Sequence, residues 1–141
     1  MKKLILILAI ACLFTGLSAQ TEVLNIITGF SEPTLHTSDV IVLDVSDCNN
    51  EVHVNDDADV IDFSLPPAQT GLVVMFYDIA GGVITVDAAA GDVIYLNGTP
   101  LDAGDSIDSP GDVGDFIVLM AIDATRWITL GQIGTWIDGG A

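Results

Sequence analysis

Two stretches of aspartate carry the oxygen density that a hard cation needs. Asp56, Asp57, Asp59 and Asp62 form the first, and Asp102, Asp105, Asp108, Asp112 and Asp115 form the second. Calcium takes roughly six to eight oxygen ligands from carboxylates and carbonyls on adaptable loops, so either stretch is chemically suited to it. The first stretch is the candidate metal site, with calcium as the candidate cofactor. Neither matches the spacing of an EF-hand or the Gly-rich nonapeptide of calcium β-rolls. The competing reading is that these are turn residues, because Asp accepts hydrogen bonds from its own backbone and tolerates turn geometry.

Aromatic rings supply the second possible chemistry. Tyr95, Trp127 and Trp136 are the candidate ligand or interface residues, since such rings stack on sugars in many small β modules. Packing in the core or at a subunit seam competes with that reading. Converging catalytic groups are hard to find. His36 and His53 with Cys48 are too sparse for a zinc site. The chain has no Gly-x-Ser-x-Gly elbow and no phosphate-binding loop ending in Lys and Ser or Thr. Paired carboxylates are uninformative in so acidic a chain. The expectation is therefore a protein that binds or builds and is not an enzyme.

The elements that would position these residues read as strands. Short runs rich in Val, Ile, Phe and Tyr recur between Gly, Pro, Asn and Asp. Strands are predicted over 40–45, 51–54, 60–65, 72–77, 83–86, 93–96, 106–108, 116–122, 126–130 and 135–137. Their spacing predicts an all-β fold, a small antiparallel β-sandwich, barrel or prism following an N-terminal signal helix. Ile61, Phe63 and Leu65 alternate with Asp62 and Ser64, as in a sheet wetted on one side. Residues 72–77 and 116–122 are apolar throughout, which places them centrally or at a subunit contact. Asn97-Gly98 predicts a type I′ hairpin, and Pro100 beyond it predicts an edge strand. No repeat of 20 to 50 residues is evident, although Gly91-Asp92-Val93-Ile94 is echoed by Gly104-Asp105-Ser106-Ile107.

Lys2 and Lys3, the apolar run Leu4 to Phe14 and the small residues Gly16, Ser18 and Ala19 have the order of a secretory signal peptide over residues 1–19. A retained anchor and lipidation at Cys12 are the alternatives, and they are the routes by which the chain would meet a membrane. Residues 20–38 read as an arm or linker, and residues 39–141 as the β domain. Cleavage would leave Arg126 alone against all 20 acidic residues, a formal charge of −19. Such a charge disfavours nucleic acid and anionic lipid as partners, since both need a basic footprint. Cys48 would then stand alone, so the core must hold the fold without a disulfide.

Across roughly residues 39 to 138 the chain resembles a small β module of bacteriophage tail-fibre and other virion structural proteins. The residues that carry the likeness are Ile61-Asp62-Phe63-Ser64-Leu65-Pro66, Gly71-Leu72-Val73-Val74, Ile84-Thr85-Val86 and Ala90-Gly91-Asp92-Val93-Ile94. The closing pair Phe116 to Ala121 and Arg126 to Leu130, with Gly134-Thr135-Trp136, extends it. The resemblance implies a non-catalytic module, often trimeric, used as a fibre tip, spike or surface attachment. The exported leader departs from that pattern. The expected function is a secreted structural or adhesive module that binds itself, with a homotrimer as the expected assembly, in the extracellular space, at a cell surface or in the periplasm. The alternative is a monomeric carbohydrate-binding module assisted by calcium.

Overall fold

Strands dominate because aliphatic residues fall at alternate positions and each run is stopped by a turn that extended backbone cannot continue. The computed structural model describes residues 29–140. The leader, its signal helix and Cys12 lie outside that range, as do residues 20–28 of the arm. Twelve strands follow in order: β1 (Thr34–His36), β2 (Val40–Val42), β3 (Asn49–Asn55), β4 (Ile61–Ser64), β5 (Val73–Asp78), β6 (Ile84–Asp87), β7 (Val93–Leu96), β8 (Thr99–Pro100), β9 (Ser106–Asp108), β10 (Phe116–Ala121), β11 (Arg126–Ile133) and β12 (Ile137–Gly140). Thr34–His36 falls within the stretch read from sequence as arm and is already part of a sheet.

The strands form two sheets. One has the order β1-β3-β5-β10-β11-β7-β8 and the other β12-β9-β6-β4-β2. The all-β expectation holds, but the antiparallel one does not, since both sheets are mixed. β1, β3 and β5 run parallel, as do β2, β4 and β6, and β7 runs parallel to β11. The reason is a winding path: from β1 to β6 the chain crosses to the opposite sheet at every connection and returns beside its previous strand. Partners such as Val40 with Asp62 and Ile61 with Ile84 are therefore about 22 residues apart, the signature of a coiled repeat. Ile41, Phe63 and Val86 stack across the five-stranded sheet on its inner face. The remaining strands close the structure with antiparallel pairs, including β10 with β11 and β5 with β10.

Between the sheets lie Phe63, Phe76, Ile61, Ile84, Val74, Val86, Ile94, Ile107, Ile117, Leu119 and Trp127, all shut off from solvent. The apolar runs of β5 and β10 are indeed central in their sheet. The Asn97-Gly98 hairpin forms with both residues at positive φ, 52° and 83°, and β8 with Pro100 is an edge. Cys48 is fully buried, and burial, with Asp47 and Asp44 nearby, pushes its thiol up to about 12. It behaves as a small apolar side chain.

Candidate functional site

The expected metal site disperses once the strands are in place. Asn55 Oδ1 accepts from the Asp57 amide at 2.9 Å, and Asp57 Oδ1 accepts from the Asp59 amide at 3.0 Å, so these side chains shape a turn. The carbonyls of Asp57 and Asp59 crowd onto Gly82, where an added Cβ would sit 2.4 and 2.1 Å from them. The Asp56 amide donates to the His36 carbonyl at 2.9 Å. Asp62 lies apart, on β4. The second stretch is equally committed to the backbone. Asp105 and Asp115 are buried, and their carboxylates accept from the amides of Asp102 at 3.2 Å and Asp112 at 2.8 Å. Each turn is closed in the other sense too, because the amides of Asp105 and Asp115 donate to the carbonyls of Asp102 and Asp112. Gly104 and Gly114 hold the positive φ at the third position of these turns, as a type II turn requires. Asp92, after Gly91, uses its carboxylate differently and accepts from the Ala68 amide at 2.7 Å. Among the described residues no group of three or more His, Cys, Asp or Glu is placed to hold a metal ion.

The expected aromatic platform does not form. Trp127 is fully buried and Trp136 nearly so, its indole Nε1 donating to the carbonyls of Phe116 and Ile133, both at 3.1 Å. Neither ring offers a face to a sugar, which removes the feature that suggested carbohydrate binding. Tyr95 is half-buried on β7, beside Arg126, which is exposed and paired with Asp123.

The arrangement that does emerge is the outer face of the five-stranded sheet. Register places Val40, Asp62, Thr85, Asp108 and Ile137 in one row, and Val42, Ser64, Asp87, Ser106 and Gly140 in the next. One aspartate from each acidic stretch thus meets Asp87 on a common surface. Thr85 Oγ1 donates to Asp108 Oδ1 at 2.8 Å. Partial burial, then repulsion from Asp62 and Asp108, raises the Asp87 carboxyl above its ordinary value. Asp62 and Asp108 are two strands apart, roughly 10 Å, too far to grip one ion together. The surface can accept hydrogen bonds and attract cationic groups. Exposed Val40 and Val42 border it on β2, and exposed Ile137 borders it on β12.

Sequence reasoning passed over the histidines. His36 Nε2 and His53 Nδ1 are 2.9 Å apart, and His53 Nε2 lies 2.8 Å from the Asp47 carbonyl. Phe63 meets His36 edge-on with centroids 5.2 Å apart, and Phe76 stacks on His53 at 5.7 Å. Seventeen residues of separation hid the pair, because only the parallel pairing of β1 with β3 joins them. Beside the loop that carries Asp47, an open depression of about 690 Å³ is lined by Asp44, Val45, Ser46, Asn49 and Leu72. It holds no buried polar group aimed at a ligand. The chain matches no known protein family and no curated protein.

Proposed function

We propose that this chain is an exported, non-catalytic structural or adhesive β-module that works by associating with itself. The observation that carries the reading is the first coil of the winding. β1 and β2 are edges of the two sheets, and Leu35, Val40 and Val42 on them are 58, 62 and 78% exposed. Edge strands of monomeric proteins are usually blunted by Lys, Pro or a bulge, because bare backbone beside apolar side chains invites another strand. Val40-Ile41-Val42 has no such guard. The resemblance to phage fibre modules, which assemble from like subunits, agrees with this.

Sedimentation of the chain from Gln20 onward tests the reading across a concentration series. The expected result is reversible association that Val42→Lys weakens at least tenfold, by putting a charge on the free edge. A monomer at every concentration would overturn self-association.

A further inference from the structure

The pairing of β1 with β3 contains a chemical asymmetry that makes it sensitive to acid. A carbonyl only accepts, so the 2.8 Å contact between His53 Nε2 and the Asp47 oxygen puts the proton of neutral His53 on Nε2. His53 Nδ1 is then bare and accepts from His36 Nε2–H across 2.9 Å. Only His36 Nδ1 remains to take a further proton without breaking this chain of bonds. A second added proton would have to go to His53 Nδ1, where it would point at the His36 N–H. The latched pair therefore holds one extra proton at most, and the detached pair holds two.

β1 depends on this contact. It is a three-residue edge strand whose Thr34 and Leu35 side chains are exposed, and His36 alone among its side chains is turned partly inward. The ionisable groups facing the pair are few. The loop before β3 supplies Asp47 and the buried Cys48. β3 carries Glu51 two residues from His53. β4 and β5 present Phe63 and Phe76, with Asp78 one row beyond. Asp78 is already engaged by Asn55 Nδ2 and the amides of Ala80 and Gly81. Burial, then the neighbouring His53, lowers the pKa of His36, against a smaller opposing pull from Asp47.

We infer that the His36–His53 pair is a pH-operated latch on β1, which acid opens by protonating both rings, baring the outer edge of β3. The sign follows from proton counting. The detached strand binds more protons than the latched one below the ordinary histidine value of 6.5, so each further pH unit of acid favours detachment by about tenfold per excess proton. Above that value the latch is closed.

Amide exchange in the full chain, expressed as protection factors at pH 7.5 and pH 5, reads the latch directly. Protection of the amides that face across the β1–β3 pairing, those of His36, Val54 and Asp56, should fall at least tenfold in acid, while amides of β4 and β6 keep theirs. In His36→Gln the side-chain amide can donate to His53 or accept from it, so the acid loss should vanish. Unchanged protection in the native chain, or an equal loss in His36→Gln, would overturn the inference. Should that variant fail to fold, imidazole nitrogen shifts of the native chain decide: both rings must titrate together with the loss of protection, and titration without it rejects the latch.

Discussion

The two acidic stretches look alike on paper and are built in opposite ways. In residues 102–115 the aspartate follows a turn glycine, and its carboxylate reaches back three residues to an amide, so the side chain is buried and the turn is closed twice. In residues 55–59 the acceptor lies two residues before the amide it serves, and the turn runs from the buried Asn55 out to the surface at Asp59. There the constraint comes from backbone packing on Gly82. A glycine licenses each region, but for different reasons: positive φ in one, close approach in the other. A charged composition thus conceals carboxylates that serve as backbone acceptors and says little about cations.

That contrast can be broken experimentally. The largest effect is expected from Gly82→Ala, where the new methyl meets two fixed carbonyls; urea denaturation should show a loss of about 3 kcal/mol or more. A loss below about 1 kcal/mol would mean that the loop over Gly82 moves freely. Asp115→Ala leaves the Asp112 amide without its carboxylate and should cost about 2 kcal/mol, whereas Asp57→Ala, nearer the surface, should cost about 0.5 kcal/mol. Equal losses would erase the distinction between buried and surface turns.

Asp87→Asn tests the surface where the stretches meet. A carboxyl held above its ordinary value costs stability once it ionises, so the cost is full at neutral pH and fades as pH falls towards 3.8. The variant should gain less than about 1 kcal/mol at pH 7, allowing for screening by solvent, and nothing at pH 3.5. A gain that grows in acid would contradict the repulsion. The smallest effect is expected from calcium, which should raise the melting temperature no more than sodium chloride of matched ionic strength. A larger rise, abolished by Asp57→Asn, would restore the loop as a cation site.

Much of the fold was legible where a local rule sufficed. Ile61, Phe63 and Leu65 alternate inward as read, and Asn97-Gly98 makes its hairpin with Pro100 at an edge. Strand direction was not legible, because inward and outward alternation is the same whether the neighbour runs parallel or antiparallel. The winding leaves only a faint sequence trace, since stacked positions such as Ile41, Phe63 and Val86 need only be apolar, not identical. Gly91-Asp92 and Gly104-Asp105 do echo a shared device, a glycine turn closed by the amide of the following aspartate, and Gly114-Asp115 is its third use. The candidate site was the least legible part. Asp62, Asp87 and Asp108 become neighbours only through the register of three strands, and the tryptophans proposed for a ligand are core residues.

Both tryptophans of the chain lie between residues 127 and 136, in β11 and the turn before β12. Their indoles differ: Trp127 Nε1 has no hydrogen-bond partner in its apolar surroundings, while Trp136 Nε1 has two carbonyls. Tryptophan emission of this protein consequently reports the closing strands and the core they share with the coil, whereas backbone circular dichroism registers every strand. If the edge strands of the coil loosen before that core opens, unfolding curves from the two spectroscopies will separate, and a single free energy taken from emission will miss the earlier step.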